Sequence, residues 1–181
     1  VVHGESSIPE VHKKIKRLFT EPSNCKALED VILAIKDADL IILGPGSLYT
    51  SVIPNLLIKE ISEEIVKSSA KKIYVCNIMT QPGETDNFAV SDHINALYKH
   101  ADSDKLIDAV LVNNVLPQNM ADKYEKCGQM PVILDRYNIK VDIVEKKLIE
   151  ESREGLVRHS SHRVARAIYY WFRKQQKNNR K

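Results

Sequence analysis

The sequence predicts a three-layer α/β fold, with a mostly parallel, Rossmann-like sheet and helices on both faces. Short, mostly apolar runs occur at 39–43, 72–79 and 107–112, as is typical of buried parallel strands. Longer segments with apolar residues at helical spacing separate them. This alternation of strand and helix indicates a parallel sheet covered by helices.

Each element has its own local signal. Apolar residues at helical spacing predict a helix over 27–38, and Pro54 in a first turn predicts one over 54–67. Ser91 is predicted as the N-cap of a helix over 91–101. The other predicted elements are a short strand at 15–19, a helix at 119–127 closed by Gly128, short strands at 131–134 and 139–143, and a helix at 160–175. No repeat or linker interrupts the sequence, so residues 1–181 are predicted to form one domain.

The turn after the first buried strand has the composition of an anion site. It contains two glycines and three hydroxyl side chains, and it leads into a helix. Free backbone N–H groups at a helix start favour anions, above all phosphate. The spacing matches neither the dinucleotide fingerprint nor the P-loop, so a purely structural turn fits it equally well. The candidate phosphate-binding residues are Gly44, Pro45, Gly46, Ser47, Thr50 and Ser51.

Polar residues also follow the second and third strands. The turn at 80–86 is polar, and Asn77 and Asn113 end otherwise apolar strands. Because the carboxyl ends of parallel strands meet at one edge, we expect a ligand site there. Glu84 is a candidate for binding sugar or ribose hydroxyls, or is an exposed turn carboxylate. The Tyr49 ring either stacks on a base or packs in the interior.

Two motifs resemble a known family. The stretches from Gly44 to Asn55 and from Tyr74 to His93 are similar to the YvcK-type gluconeogenesis factors of bacteria, which share a superfamily with the CofD 2-phospho-L-lactate transferases. Gly4-Glu5-Ser6 and Val112-Asn113-Asn114 fit the same family. The resemblance extends to about residue 150. Family members open with Gly-Gly-Gly-Thr-Gly and Asp-Asp-Gly-Gly segments that are absent here, so we expect the chain to be the carboxyl-terminal part of a longer CofD-like protein, with half of the ligand site upstream.

The resemblance implies a regulatory protein that binds a nucleotide sugar such as UDP-N-acetylglucosamine and links carbon metabolism to cell-wall precursor supply and cell shape. A binding protein of this kind requires no cofactor and no catalytic residue. The first turn would hold the diphosphate, and the turn from Asn77 to Thr85 would contact sugar or ribose. The implied ligand-binding residues are Gly44, Pro45, Gly46, Ser47, Tyr49, Thr50, Ser51, Asn55, Asn77, Thr80, Gln81, Gly83, Glu84, Thr85, His93 and Asn113.

The alternative is a CofD-like phospholactyl transferase or another nucleotide-dependent transferase, which would need Mg²⁺ to neutralise developing phosphate charge. In the superfamily, the acidic groups that hold this metal lie in the upstream segment, so we expect no metal site here. The transferase branch usually carries an Asn-Pro pair where this chain has Gly46-Ser47-Leu48-Tyr49. We therefore favour the binding protein.

The tail is strongly basic. Residues 155–181 contain eight Lys and Arg and no acidic residue. Apolar residues at helical spacing predict a docked helix with a solvated basic face, which we favour over a nucleic-acid or membrane surface. His159 and His162 are interpreted as surface histidines because no further metal ligand lies nearby.

The remaining composition fits a cytoplasmic protein. Cys25, Cys76 and Cys127 match no metal pattern and favour a reducing compartment, with Cys76 buried in a strand. No apolar run approaches the roughly 20 residues that span a bilayer. A regulated enzyme partner and a homo-oligomer are both compatible with the sequence.

Overall fold

The computed structural model describes residues 1–4, 7–8, 10, 14–115, 128–151 and 157–178. Its centre is a parallel sheet with the strand order β1-β2-β3-β4. The register places Leu43 beside Tyr74, and Asn113 beside Lys146. All four carboxyl ends therefore meet at one edge. The strands are β1 (Leu40–Leu43), β2 (Lys71–Val75), β3 (Ala109–Asn113) and β4 (Asp142–Lys146).

Helices and one hairpin surround this sheet. A π-helical turn at Leu48–Val52 leads directly into the second helix. Two short antiparallel strands, β5 (Ile149–Glu151) and β6 (Val157–His159), follow β4. The helices are α1 (Glu29–Asp37), α2 (Ile53–Leu56), α3 (Lys59–Lys67), α4 (Val90–Ala101) and α5 (Ser161–Asn178). No helix in these described ranges is both long and apolar enough to cross a bilayer.

Each face of the sheet carries its own apolar core. On one face, Tyr74 and Val110 join a cluster that includes residues of α2 and α4, such as Ile53 and Leu97. On the other face, side chains of β2 and β3 pack with α5. The second cluster contains Ile73, Val75, Ala109, Leu111, Val164, Ala167, Ile168 and Trp171. The predicted three-layer α/β fold is confirmed, because helices cover both faces of a parallel sheet.

Two predicted elements differ at the first face. The helix predicted over 54–67 is divided, because Ile58 has extended backbone (φ −78°, ψ 103°) and α3 starts after it. Residues 15–19 do not form a strand. Their backbone instead contacts α4: the Leu18 N–H donates to His100 Nε2 at 3.0 Å, and the Lys16 carbonyl accepts from Lys99 Nζ.

The predicted strands after Gly128 also differ. Residues 131–134 form only one antiparallel bridge, between Met79 and Pro131, and proline has no N–H to continue a ladder. The strand predicted over 139–143 runs instead from Asp142, which pairs with Ala109 where β3 begins. A helical turn at Arg136–Asn138 precedes it. The predicted helix at 119–127 lies outside the described residues.

Candidate functional site

The first turn leaves β1 in a tightly packed conformation. Gly44 has a φ of +79°, which residues with side chains rarely adopt, and a Cβ there would lie 3.1 Å from the Val75 carbonyl oxygen. A Cβ on Gly46 would lie 3.2 Å from the Ser51 Cβ. The backbone conformation therefore requires Gly44, and the lack of space favours Gly46. Pro45 and Ser51 are exposed at the rim of the turn.

The Glu84 carboxylate lies at the start of the π-helical turn. It accepts long hydrogen bonds of 3.4 Å from the Tyr49 N–H and from the Thr50 hydroxyl. Only 7% of Glu84 is exposed, so it is a buried residue and not an exposed turn carboxylate. A carboxylate at this position complements the positive end of the helix. The Thr50 hydroxyl, predicted to hold phosphate, donates to the protein's own anion.

Gln81 joins the two predicted turns. Its Nε2 donates to the Ser47 Oγ at 2.7 Å, and its Oε1 accepts from the Asn77 Nδ2 at 3.0 Å. Its backbone N–H donates to the Thr85 Oγ1 at 2.9 Å. Residues from the ends of β1 and β2 thus share one hydrogen-bonded network, which lies at the carboxyl edge of the sheet.

The rest of the second turn is held by its own backbone. Gly83 has a φ of +80°, and its N–H donates to the Asp86 carboxylate at 2.8 Å. The Thr85 N–H donates to the Gln81 carbonyl at 2.8 Å, and Thr85 is completely buried. Gly83 and Thr85 therefore shape the turn from within.

Thr80 anchors a segment that sequence reasoning did not place at the site. Its N–H donates to the Met130 carbonyl at 2.7 Å, and its hydroxyl accepts from the Met130 N–H at 2.9 Å. Residues 130–136, here called the edge segment, continue along the carboxyl edge. The Val132 N–H donates to the Ile78 carbonyl at 3.0 Å. The edge segment is thereby fixed alongside the end of β2.

Carboxylates also occupy the start of α4. The helix begins at Val90 with Ala89 as its N-cap, so the prediction of Ser91 as N-cap is wrong. The Asp92 carboxylate accepts from the Ala89 N–H at 2.9 Å, and Asp135 accepts from the Ser91 N–H at 3.0 Å and hydroxyl at 2.5 Å. Burial raises the pKa of Asp135, but hydrogen bonds from Ser91 and Asn138 outweigh it and hold this pKa below its usual value.

His93 and Tyr49 lie in the interior. His93 is fully buried, its Nδ1 donates to the Ala89 carbonyl at 2.9 Å, and burial lowers its pKa. Its Nε2 has no hydrogen-bond partner among the described residues. Tyr49 is 4% exposed and packs edge-on against Phe88 and His100, and burial raises its pKa. The Tyr49 ring therefore takes the packing role, and His93 lies beneath the edge and does not face solvent.

Asn113 lines a cavity of about 410 Å³ at the carboxyl edge, here called the edge cavity. The Asn113 Oδ1 accepts from the Leu148 N–H at 2.9 Å, and its Nδ2 donates to the Val115 carbonyl at 2.5 Å. Asn77 lines the same cavity. Asn55, in contrast, is exposed on α2, where its amide donates to the Ser51 carbonyl at 2.8 Å.

The hairpin brings one more side chain to this edge. His159 is half-buried in β6, so the interpretation as a surface histidine is wrong for it. Burial lowers its pKa, and a hydrogen bond with the Cys76 backbone opposes that effect. No periodicity in the sequence separates β5 from β6, which is why this contact was not predicted. Cys76 itself is buried as predicted, and burial raises its pKa to about 12.

The part of the chain that the structure describes contains no group of three acidic, His or Cys side chains close enough together to hold a metal ion.

A family model described as 2-phospho-L-lactate transferase CofD matches residues 1–149. The chain is 49% identical to a putative gluconeogenesis factor of Clostridium acetobutylicum, covering 93% of this chain and 39% of that protein. It is 43% identical to the gluconeogenesis factor of Bacillus subtilis, covering 91% of this chain and 53% of that protein. The chain therefore spans about two-fifths to one half of the length of these curated relatives.

Solved structures agree with these matches. A crystal structure of a protein from Bacillus halodurans superposes with a TM-score of 0.89 at 42% identity, covering 93% of this chain and 55% of that one. A second structure of a Bacillus halodurans protein, described as a member of the UPF0052 family, superposes with a TM-score of 0.87 at the same identity and coverage. Sequence motifs, fold and comparisons thus agree, and the chain belongs to the CofD family, in which it resembles the bacterial gluconeogenesis factors.

Proposed function

We propose that the protein binds a nucleotide sugar of the UDP-N-acetylglucosamine type at the carboxyl edge of its sheet. The observation that carries this proposal is the Gln81 side chain, which joins Ser47 of the first turn to Asn77 of the second. Two polar turns linked in this way can hold two parts of one extended ligand. Ligands of open parallel sheets bind at this edge.

The first turn is the proposed diphosphate site. The Ser47 hydroxyl accepts from Gln81, so its own hydrogen remains available to donate to a phosphate oxygen. Ser51 is exposed beside it. Because the Glu84 carboxylate repels a second anion, we place the phosphates at the Gly46 and Ser51 side of the turn, away from the Tyr49 N–H.

Glu84 is the proposed acceptor for ribose or sugar hydroxyls. A carboxylate accepts strong hydrogen bonds from hydroxyl groups, whereas it disfavours phosphate. Its anchoring by Tyr49 and Thr50 fixes its position before a ligand arrives. Such charge-assisted hydrogen bonds bind a ligand without any nucleophile, which is consistent with a sensor.

We further propose a regulatory role in the cytoplasm, in which the ligand-bound protein controls a partner enzyme and so links carbon metabolism to cell-wall precursor supply and cell shape. The support is the identity of 39–49% to eight proteins named gluconeogenesis factor or putative gluconeogenesis factor.

A transferase is the second candidate, because the matching family model is described as a 2-phospho-L-lactate transferase. Such an enzyme would bind a guanosine carrier and Mg²⁺ and would release a product. The two candidates therefore differ in nucleotide, in metal dependence and in turnover.

Calorimetric titration of the full-length gene product that contains this chain distinguishes the sensor from the transferase. The sensor is expected to bind UDP-N-acetylglucosamine without Mg²⁺ and to leave the ligand intact, as checked by chromatography. Binding only of guanosine nucleotides, and only with Mg²⁺, would instead identify a transferase. The same titration of residues 1–181 measures how much of the site this chain supplies.

A further inference from the structure

We propose that the edge cavity receives an uncharged ring that carries an amide group, as a uracil base or an N-acetylated sugar does. This inference rests on the proposed function, because it assigns the part of the ligand that extends beyond the phosphates. It names a second subsite, separate from the first turn.

The cavity is partly open to solvent and has a suitable size. Its volume of about 410 Å³ lies within the roughly 300–1,000 Å³ of small-molecule sites. Ile78, Val90 and Val112 supply buried apolar walls. The edge segment closes another side, and hydrogen bonds from Val132 to Ile78 and from Val90 to Ile133 hold it in place. Apolar walls of this kind favour the faces of a ring.

The charges of the lining cancel. Arg136 and Glu145, which both line the cavity, form an ion pair with each other. The nearby Asp135 carboxylate is directed to the start of α4, where Ser91 donates to it. Without a net positive charge in its lining, the cavity disfavours phosphate and accepts a neutral group.

Its hydrogen-bonding groups are oriented amides. Asn113 is held at both ends, by the Leu148 N–H and the Val115 carbonyl, and Asn77 is held by Gln81. Each amide nitrogen has two hydrogens and each amide oxygen two lone pairs, so these bonds leave one donor and one acceptor position on Asn113, and one donor and two acceptor positions on Asn77. A donor beside an acceptor complements the N–H and C=O of another amide.

Hydrogen bonds also link the cavity to the proposed phosphate site. Asn77 lines the cavity and connects through Gln81 to Ser47. A ligand with a phosphate at the first turn would therefore extend its next ring past Asn77. This places the specificity for the ring at β2, β3 and the edge segment, and the affinity for phosphate at the first turn.

The test uses a cysteine substitution on the cavity wall, whose reaction rate reports whether a ligand occupies the cavity. Leu134 lines the cavity and is half-buried. In the full-length protein, Leu134→Cys should react with a maleimide, and saturating UDP-N-acetylglucosamine should slow the reaction at least fivefold, as followed by peptide mass spectrometry. Inorganic pyrophosphate should not slow it. Leu33→Cys, on α1 and half-exposed, is the matched control whose reaction rate should stay unchanged.

Fragments of the ligand distinguish whether the uracil base or the N-acetylated sugar supplies the amide that enters the cavity. Protection of Leu134→Cys by uridine monophosphate assigns the cavity to the base, whereas protection by N-acetylglucosamine 1-phosphate assigns it to the sugar. A filling variant, Leu134→Trp, should weaken the affinity for the whole ligand at least tenfold and leave that for pyrophosphate unchanged.

Failure of this inference can be told apart from failure of the proposed function. If calorimetry shows wild-type binding of the nucleotide sugar but the ligand does not protect Leu134→Cys, the cavity assignment is overturned and the phosphate site stands. If the wild-type protein binds no nucleotide sugar, both proposals fall together.

Discussion

Ser51 is the residue whose replacement tests the first turn with the least disturbance of the fold. Its side chain is exposed, and it lies against Gly46. Ser51→Ala should weaken nucleotide-sugar binding by about 1.5–3 kcal/mol, the usual contribution of a hydrogen bond to a charged group. Calorimetry measures the affinity, and urea unfolding should show unchanged stability. Equal affinity in variant and parent would remove this hydroxyl from the site.

Glu84 is expected to contribute to stability as well as to binding. Glu84→Gln keeps the shape of the side chain but removes the charge that faces the Tyr49 N–H and the start of a helix. We predict a loss of about 1 kcal/mol in the free energy of unfolding, measured with urea. Glu150→Gln, at an exposed position in β5, is the control and should change little. A variant as stable as the parent would contradict the role given to this charge.

His100 makes stability depend on pH. Its Nδ1 donates to the Ala96 carbonyl at 2.7 Å, and its Nε2 accepts from the Leu18 N–H, so the folded protein holds the neutral ring. Burial, aided by the charges of Arg17 and Lys99, lowers its pKa. The unfolded protein therefore binds more protons below about pH 6.5, and stability is lost as the pH falls through that value towards the lowered pKa.

The loss of stability at low pH leads to a prediction for His100→Gln. The amide oxygen of glutamine can still accept from Leu18 but does not titrate. The decrease in unfolding free energy between pH 7.5 and 5.5 should be smaller in His100→Gln than in the parent, as measured by urea titration at each pH. His93 and His159, whose pKa values burial also lowers, should contribute to the remaining slope in the same direction.

At the scale of elements, α5 is a structural layer in its own right. Trp171 is 7% exposed and packs in the cluster that covers the second face of the sheet. Trp171→Ala should destabilise the protein by about 3–5 kcal/mol, because it leaves a large cavity there. Tyr170→Ala, next to it but 60% exposed, should cost less than about 1 kcal/mol. Similar losses in the two variants would argue against docking of α5.

Elements with strong periodicity could be predicted, and those set by side-chain contacts could not. The runs that became β1, β2 and β3 are mostly apolar, because residues such as Tyr74, Val75 and Leu111 are buried in the two cores of the sheet. The break at Ile58 and the extended course of residues 15–19 depend on distant partners, such as His100 for Leu18. The edge segment has strand composition, yet its hydrogen bonds go to a turn and to α4.

At the scale of the whole molecule, ligand binding should stabilise the fold as one unit, because the proposed site joins residues of several elements. A nucleotide sugar at 100 times its dissociation constant adds about 2.7 kcal/mol, which corresponds to a rise of about 5–10 °C in Tm. Differential scanning fluorimetry measures this rise in Tm. Gly46→Val, whose side chain would collide with Ser51, should show no such rise, and an equal rise in this variant would place the ligand elsewhere.

The gathering of polar side chains at one edge was predictable in outline because parallel strands bring their carboxyl ends together. That rule placed Ser47, Asn77 and Asn113 at one edge. The position of Glu84 at a helix start and the cavity wall formed by the edge segment depend on contacts across 35 to 50 residues of sequence, which no local pattern encodes.

The outer edge of β1 has a consequence for how this chain behaves in concentrated solution. β1 pairs only with β2 among the described strands, and Ile42 on it is 46% exposed. An edge that no second described strand covers, with an exposed apolar side chain on it, offers backbone donors and acceptors to any strand that reaches it. Two copies can therefore join edge to edge, so the chain on its own is expected to self-associate as its concentration rises.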